Sequence, residues 1–415
     1  MKPALADHIS SSSVDEFLAL KRRFRIAMVG QKGLPATYGG IEYHVENLST
    51  RLAARGHDVT VFCRPHYSGS LDDNEFVDRS RAGDYLFRGV SLSLLRSLNT
   101  KHLDAISHAA LSTSVAAANG FDIIHYHGIG PSLVNWIPAL LGKRVVSTVH
   151  ALDFRQEKWG RFARTCLRAG LKCSLLFPDR TICVSRNIES YVGPSDKTVY
   201  IPNGVSEPSP WGRRETEWVR RQGLTGGKYV LFVGRLIADK GCHLLIRAVQ
   251  KLGRDLKLAV AGESWHTDRY VRKLKGMAGE ETVFLGTVHG PRLSALYANC
   301  ALFVLPSAIE GLPIVLMEAM KHRAPVVASD IPENLEVLRS DGTGSPAGIV
   351  FRSGDEDSLA AGLKAALDDP DTARRNVHNA YLHVVERYGW ESIVRRTENI
   401  YRDIMRSDAR AVNKV

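Results

Sequence analysis

"FRIAMVGQKGLPATYGGIEYHVENLSTRLAARGHDVTVFCR", Phe24 to Arg64, decides the fold. Its two ends are short apolar runs of strand type, and between them Gly39 to Gly56 carries the apolar spacing of an amphipathic helix. A strand that passes through a helix into another strand is the unit of a parallel sheet covered by helices. "FDIIHYHG", "KRVVSTVHA", "RTICVS" and "TVYIPNG" carry the alternation on to residue 205.

After "GVSEPSPWGRRE", rich in Pro, Ser and Gly, the pattern restarts with "KYVLFVGRL", "LKLAVAGE", "TVFLGTV", "ALFVLPS" and "APVVASD", each followed by helical spacing. The division is an arm (1–23), a first α/β domain (24–205), a linker (206–227), a second α/β domain (228–385) and a final helix (386–415) with no strand after it. Two doubly wound sheets in tandem place a cleft between the carboxyl ends of their strands, where such sheets bind ligands.

Composition narrows the function. Of 415 residues 44% are hydrophobic and 24% charged, as in soluble globular proteins. The six cysteines are scattered, with no CxxC pair and no His/Cys cluster at zinc spacing, which points to a reducing compartment and no structural metal. No apolar run reaches the roughly 18–20 residues that span a bilayer, and the N-terminus lacks the apolar core of a secretion signal, so a cytoplasmic protein is expected. The formal charge of +11 suggests anionic partners. Nucleic acid is not expected, because no basic run is interleaved with aromatics and no binding module is present. "RQEKWGRFARTCLRAGLK", Arg155 to Lys172, holds six basic residues and one acidic; Phe162, Leu167 and Leu171 recur near helical spacing. It reads either as a helix on an anionic membrane surface or as an ordinary helix with a basic solvent face.

"SAIEGLPIVLMEAM", Ser307 to Met320, follows a strand and holds two glutamates. Pro313 fits the first turn of a helix through Ala319, which puts Glu310 in the loop and Glu318 on the helix. The first amides, near Ile314 and Val315, lack helical partners and carry the positive end of the dipole, an anion site. Glu310 before that site and Glu318 about 7–8 Å along the axis can flank a bound phosphate. In "VGRLIADKG" Arg235 and Lys240 occupy a strand-to-helix loop on the same rim, where cations neutralise a diphosphate. Gly39 and Gly40 open the first helix and let a phosphate or sugar approach the backbone. "GQKG" is not a dinucleotide fingerprint and no acidic residue closes the second strand, which disfavours an oxidoreductase. His150 ends the strand "KRVVSTVH" and faces the cleft by topology. The acidic clusters at Asp355 and Asp368 read as helix starts and turns.

"EGLPIVLMEAM" followed by "APVVASDIPENLEVL", the "VGRLIADKG" loop, "IPNGV" at Ile201 to Val205, the Gly39 helix start and the Trp390 helix together resemble family 4 of the retaining glycosyltransferases. The resemblance covers the chain from Phe24 onward and implies the GT-B fold: two Rossmann-like domains facing across a cleft, with a C-terminal helix crossing back to the first. "GLPATYGGIEYHVENL" is similar to polysaccharide-assembly members.

By that resemblance Glu310 bonds hydroxyls of the donor sugar, Glu318 the ribose, and Arg235 and Lys240 the diphosphate, with amides near Pro313 and Ile314. His150 lies beside the sugar, Gly40 near phosphate or acceptor, and Thr287 and Val288 give backbone contacts to the base. The implied substrates are a UDP-, GDP- or dTDP-linked sugar and a saccharide or lipid-linked saccharide acceptor; no cofactor or metal is implied. Leu312-Pro313 stands where many members have Phe-Gly, which leaves the sugar open. A nucleotide-sugar epimerase of the same fold and a non-catalytic binding protein are the competing readings.

Overall fold

The computed structural model describes residues 22–412 apart from 37–38, 68–70, 72–76, 80–84, 99, 101–102, 157, 265–267 and 339–346. Most of the N-terminal arm therefore lies outside the described residues.

The first sheet has nine strands: β1 (Arg25–Val29), β2 (Asp58–Cys63), β3 (Val77–Arg79), β4 (Tyr85–Phe87), β5 (Val90–Leu94), β6 (Ile123–His127), β7 (Arg144–Val149), β8 (Arg180–Cys183) and β9 (Thr198–Tyr200). Their order is β3-β4-β5-β2-β1-β6-β7-β8-β9, parallel except for the β3-β4 and β4-β5 pairs at one edge. That antiparallel edge departs from the parallel sheet expected from the alternation. Between β4 and β5 the two-residue turn Arg88-Gly89 takes φ 47° and 82°, the twist a tight hairpin needs.

The second sheet orders β10 (Tyr229–Val233), β11 (Lys257–Ala261), β12 (Thr282–Gly286), β13 (Leu302–Leu305), β14 (Val326–Ser329) and β15 (Ile349–Phe351) as β12-β11-β10-β13-β14-β15, all parallel. Sequence order reverses between β10 and β13, and likewise between β1 and β6 in the first sheet. These are the topological switch points, and the loops leaving their strands border the cleft.

The helices that matter here are α1 (Gly39–Ala54), α2 (Asp104–Ala118), α3 (Trp136–Leu140), α4 (Arg161–Leu176), α5 (Arg186–Val192), α6 (Arg213–Arg221), α7 (Cys242–Leu252), α8 (Asp268–Met277), α9 (Gly290–Asn299) and α10 (Ile314–Lys321). They are followed by α11 (Pro332–Leu338), α12 (Glu356–Asp368), α13 (Pro370–Arg387) and α14 (Trp390–Val412). Helix α6 falls inside residues 206–227, packs on α9 and buries Val219.

Helix α14 returns to the first domain, where Trp390, Ile393, Val394, Ile400, Tyr401 and Ile404 join the core of Ile26, Met28 and Val61. Arg55 Nη1 bonds Glu398 Oε2 at 2.7 Å, and Tyr401 meets His125 Nδ1 at 2.6 Å beneath β6. The indole of Trp390 lies so close to the backbone that a Cβ on Gly204 would stand 2.5 Å from it. Only glycine fits there, so "IPNGV" is in part a seat for the returning helix. The acidic clusters cap helices: Asp355 accepts from the Ser358 amide and Asp369 from the Thr372 amide, each at 2.9 Å.

Candidate active site

The loop after β10 carries Arg235 and Lys240, and the loop after β13 carries Glu310, so the second switch point brings all three together. Lys240 Nζ forms an ion pair with Glu310 Oε1, with side chains 15% and 8% exposed. Pro313 caps α10 one place before its first residue, outside the first turn in which it was expected, because its ψ of 95° is extended. The amides of Ile314 and Val315 stand in the first turn of α10 all the same.

Glu318 lies on α10 and is half-buried. The Tyr297 hydroxyl reaches its Oε2 at 3.2 Å, and burial pushes its carboxyl up to about 7. Thr287 and Val288 follow β12 directly, the first exposed and the second buried. Beside them a cavity of about 490 Å³, bordered by Leu236, Gly262, Glu263 and Gly286, opens at the carboxyl ends of β10 to β12.

The first domain meets this rim closely. Gly39 has φ +81°, and a Cβ on Gly40 would touch Ile314 Cδ1 at 3.4 Å. A Cβ on Gly311 would stand 1.8 Å from the His150 carbonyl oxygen, so the Glu310 loop seats on the end of β7 only with glycine there. Asn203 Nδ2 donates to the Leu312 carbonyl at 3.3 Å, while its Oδ1 faces His44 Nδ1 at 3.0 Å. A cavity of about 200 Å³ between the domains is bordered by Arg155 and Asn187 on one side and Glu310 and Glu333 on the other.

Hydrogen bonding orders the histidines. A carbonyl oxygen only accepts, so Asn203 fixes the proton of His44 on Nδ1 and leaves Nε2 a bare acceptor. Met28 Sδ accepts from His127 Nε2–H at 3.3 Å, so His127 Nδ1 accepts from His150 Nε2–H at 3.2 Å. That leaves His150 Nδ1 as an acceptor. Burial lowers the pKa of His44 to about 4 and those of His127 and His150 well below the usual range. Neutral rings suit sugar hydroxyls and not phosphate, and His44 Nε2 and His150 Nδ1 are the acceptors that remain among the three rings. They also form the one group among the described residues close enough to hold a metal ion, with one nitrogen from each ring within 4.8 Å.

Sequence reasoning passed over His44, His127, Asn203 and two lysines. Lys32, in the loop after β1, has its pKa lowered by burial and, among charges, by Arg235 and Arg64. Lys158 is lowered by burial and by Arg235. Two loops from the first domain thus bring cations up to Arg235 on the second, with the carboxylates of Glu42, Asp153 and Asp239 set among them. The "K" of "GQKG" was legible as a basic loop residue; its approach to Arg235 depends on closure of the domains.

Placement of the 155–172 segment is mixed. Leu171 is buried in the core and Leu167 packs against that core, whereas Phe162 is 84% exposed. The three do not share one outward apolar face.

Comparison with known proteins agrees with this architecture. The family described as "Glycosyl transferases group 1" matches residues 215–383, and "Glycosyltransferase Family 4" matches residues 38–207. The chain is 27% identical to the uncharacterized glycosyltransferase MJ1607 of Methanocaldococcus jannaschii over 92% of its own length and 98% of that protein. It superposes with TM-score 0.76 on sucrose-phosphate synthase from Thermosynechococcus elongatus, at 22% identity, covering 93% of this chain and all of the other. Anabaena HepE in complex with UDP and glucose gives TM-score 0.73 at 19% identity, over 91% of this chain and 99% of that one. The chain belongs to family 4 of the glycosyltransferases and has the GT-B fold.

Proposed function

We propose that the enzyme transfers a sugar, with retention, from a nucleoside diphosphate sugar to a hydroxyl of a saccharide or lipid-linked saccharide in exopolysaccharide, capsule or O-antigen assembly. The observation that carries the reading is the meeting of Arg235, the Lys240–Glu310 pair and the α10 N-terminus on one rim, opposite Lys32. A diphosphate fits the cations and amides; hydroxylated rings fit Glu310, Glu318 and the neutral histidines. HepE with UDP and glucose is a neighbour of the same fold.

In the reaction the bond between the anomeric carbon and the diphosphate oxygen breaks, and the acceptor oxygen bonds that carbon on the same face. The acceptor proton passes to an oxygen of the departing phosphate. Arg235, Lys240 and the amides of Ile314 and Val315 stabilise the charge that grows there, without need of a resident metal. Glu310 and His150 Nδ1 accept sugar hydroxyls, Glu318 accepts from the ribose, and the backbone at Thr287 and Val288 meets the base. Gly39 and Gly40 leave room for the acceptor side.

The membrane partner of this reading is the anionic inner face of the cell membrane, met through residues 155–172. Among the described residues no helix is long and apolar enough to cross a membrane, so the proposed contact is peripheral.

The test is release of free nucleoside diphosphate from UDP-, GDP- and dTDP-linked sugars with and without a lipid-linked saccharide. Release that requires the acceptor, with sugar joined to it, supports the transferase. Conversion of the donor alone supports an epimerase, and binding without turnover a non-catalytic protein.

A further inference from the structure

The exposed apolar side chains of this protein are not scattered. Among the described residues, ten of the fifteen large ones fall between Leu94 and Phe177, and Phe162 (84%), Leu140 (73%), Leu176 (65%) and Leu141 (63%) are the most exposed. Scattered single apolar residues are ordinary, but a contiguous group marks an interaction surface.

Helices α2, α3 and α4 make this group contiguous. α2 packs on α3, and Asn135 Nδ2 donates to the Cys173 carbonyl at 3.2 Å, clamping the start of α3 to the last turn of α4. The Val145 amide donates to Asp179 at 2.9 Å, which ties the strand after α3 to the chain leaving α4. Leu140 and Leu141 at the end of α3, and Leu176 and Phe177 at the end of α4, thus lie between two points at which these segments are hydrogen-bonded to each other. Along α4 the exposed positions are Arg161, Phe162, Thr165, Arg168, Ala169, Lys172 and Leu176, so the basic side chains alternate with Phe162, Ala169 and Leu176.

Carboxylates are kept off this face. Among the described residues from 94 to 177, Asp104 pairs with Arg64 at 2.9 Å, Asp122 accepts from the Arg25 amide at 2.7 Å, and Asp153 accepts from Gln156 at 2.9 Å. We infer that the α2–α3–α4 face docks on an anionic lipid bilayer, with Trp136, Leu140, Leu141, Phe162, Leu176 and Phe177 entering the interface and Arg161, Arg168 and Lys172 meeting lipid phosphates. The inference rests on the membrane contact proposed above and enlarges it from one segment to a three-helix surface. Apolar tips with cations set between them match the boundary of acyl chains and phosphates.

The experiment is co-sedimentation of the full chain with vesicles of phosphatidylcholine alone or with added phosphatidylglycerol. Three variants are compared: Leu140→Ser/Leu141→Ser/Leu176→Ser, Arg161→Gln/Lys172→Gln, and Leu382→Ser as an exposed control on α13. All the changed side chains are exposed, so the fold is retained, and each variant is checked by its melting midpoint. Wild type and control bind the phosphatidylglycerol vesicles, and the triple variant loses binding. The double Gln variant binds roughly 25-fold more weakly, about fivefold for each lost cation. Absence of wild-type binding overturns both the face and the membrane reading. Equal binding by the variants overturns the face alone. A wild-type dimer in sedimentation velocity that the triple variant dissociates shows that a second copy covers the face, and also overturns the inference. None of these outcomes bears on the transferase reading, which nucleotide-sugar turnover tests separately.

Discussion

Glu318 should cost the fold stability in order to bind ligand, and replacing it with Gln exposes that cost. Burial raises its pKa from 4.5 to about 7, so the folded state holds a proton there that the unfolded chain has released. The group's favourable contribution is complete below about pH 4.5 and is lost as the pH rises through about 7. A shift of this size, at about 1.4 kcal/mol per unit, amounts to about 3 kcal/mol by pH 8. In a domain of this size that is on the order of 8 °C in melting midpoint. Glu318→Gln keeps the shape and has no charge to bury. Between pH 5 and pH 8 the variant should therefore gain about 3 kcal/mol relative to wild type, read by urea unfolding at both values. It should also lose the stabilisation that a nucleoside diphosphate gives, because an ionised carboxylate accepts both ribose hydroxyls and an amide oxygen is the weaker acceptor. Parallel pH dependence of the two proteins would refute the half-buried, proton-holding Glu318 on which the reasoning stands.

Further outcomes concern the rim. Lys240→Ala and Arg235→Ala should each lower turnover by on the order of a hundredfold, as loss of a charge-stabilising group does, with melting curves little changed for the exposed Arg235. Gly311→Ala drives a Cβ into the His150 carbonyl, so it should depress turnover more than binding of the free nucleotide, measured by comparing kcat with the nucleotide Kd. Asn203→Ala releases both the Leu312 carbonyl and the His44 tautomer. Turnover should fall in that variant by more than nucleoside diphosphate affinity does, because Arg235, Lys240 and the α10 amides lie on the second domain.

Much of this was legible in the chain because the information is local. The strand–loop–helix run at Phe24 to Arg64 and its restart at Lys228 specify parallel crossovers, and those place the loops with Arg235, Lys240 and Glu310 at one switch point. The β4-β5 hairpin escaped because its turn is Arg88-Gly89, and arginine at a positive φ is not a turn signal. The histidine chain escaped for another reason. His44, His127, His150 and Asn203 lie on four different segments, and only the packing of strands, helix and the loop after β9 brings their ring and amide atoms into hydrogen-bond range. Lys32 meets Arg235 only through domain closure. In the 155–172 segment helical spacing identified a helix, but Leu171 went inward and Phe162 outward because the neighbouring 3₁₀ turn after β6 packs on the side that holds Leu167 and Leu171.

The central claim is that the cleft between the two sheets binds a nucleoside diphosphate through Arg235, Lys240 and Glu318. Thermal melting of the purified protein against UDP, GDP, dTDP, ADP and NAD, repeated with Glu318→Ala, tests it most directly, since binding to the native state raises the midpoint by mass action. The account predicts a rise with one nucleoside diphosphate that is weakened in the variant, and none with NAD. Unchanged melting with every nucleotide, or a rise that Glu318→Ala leaves intact, would contradict it.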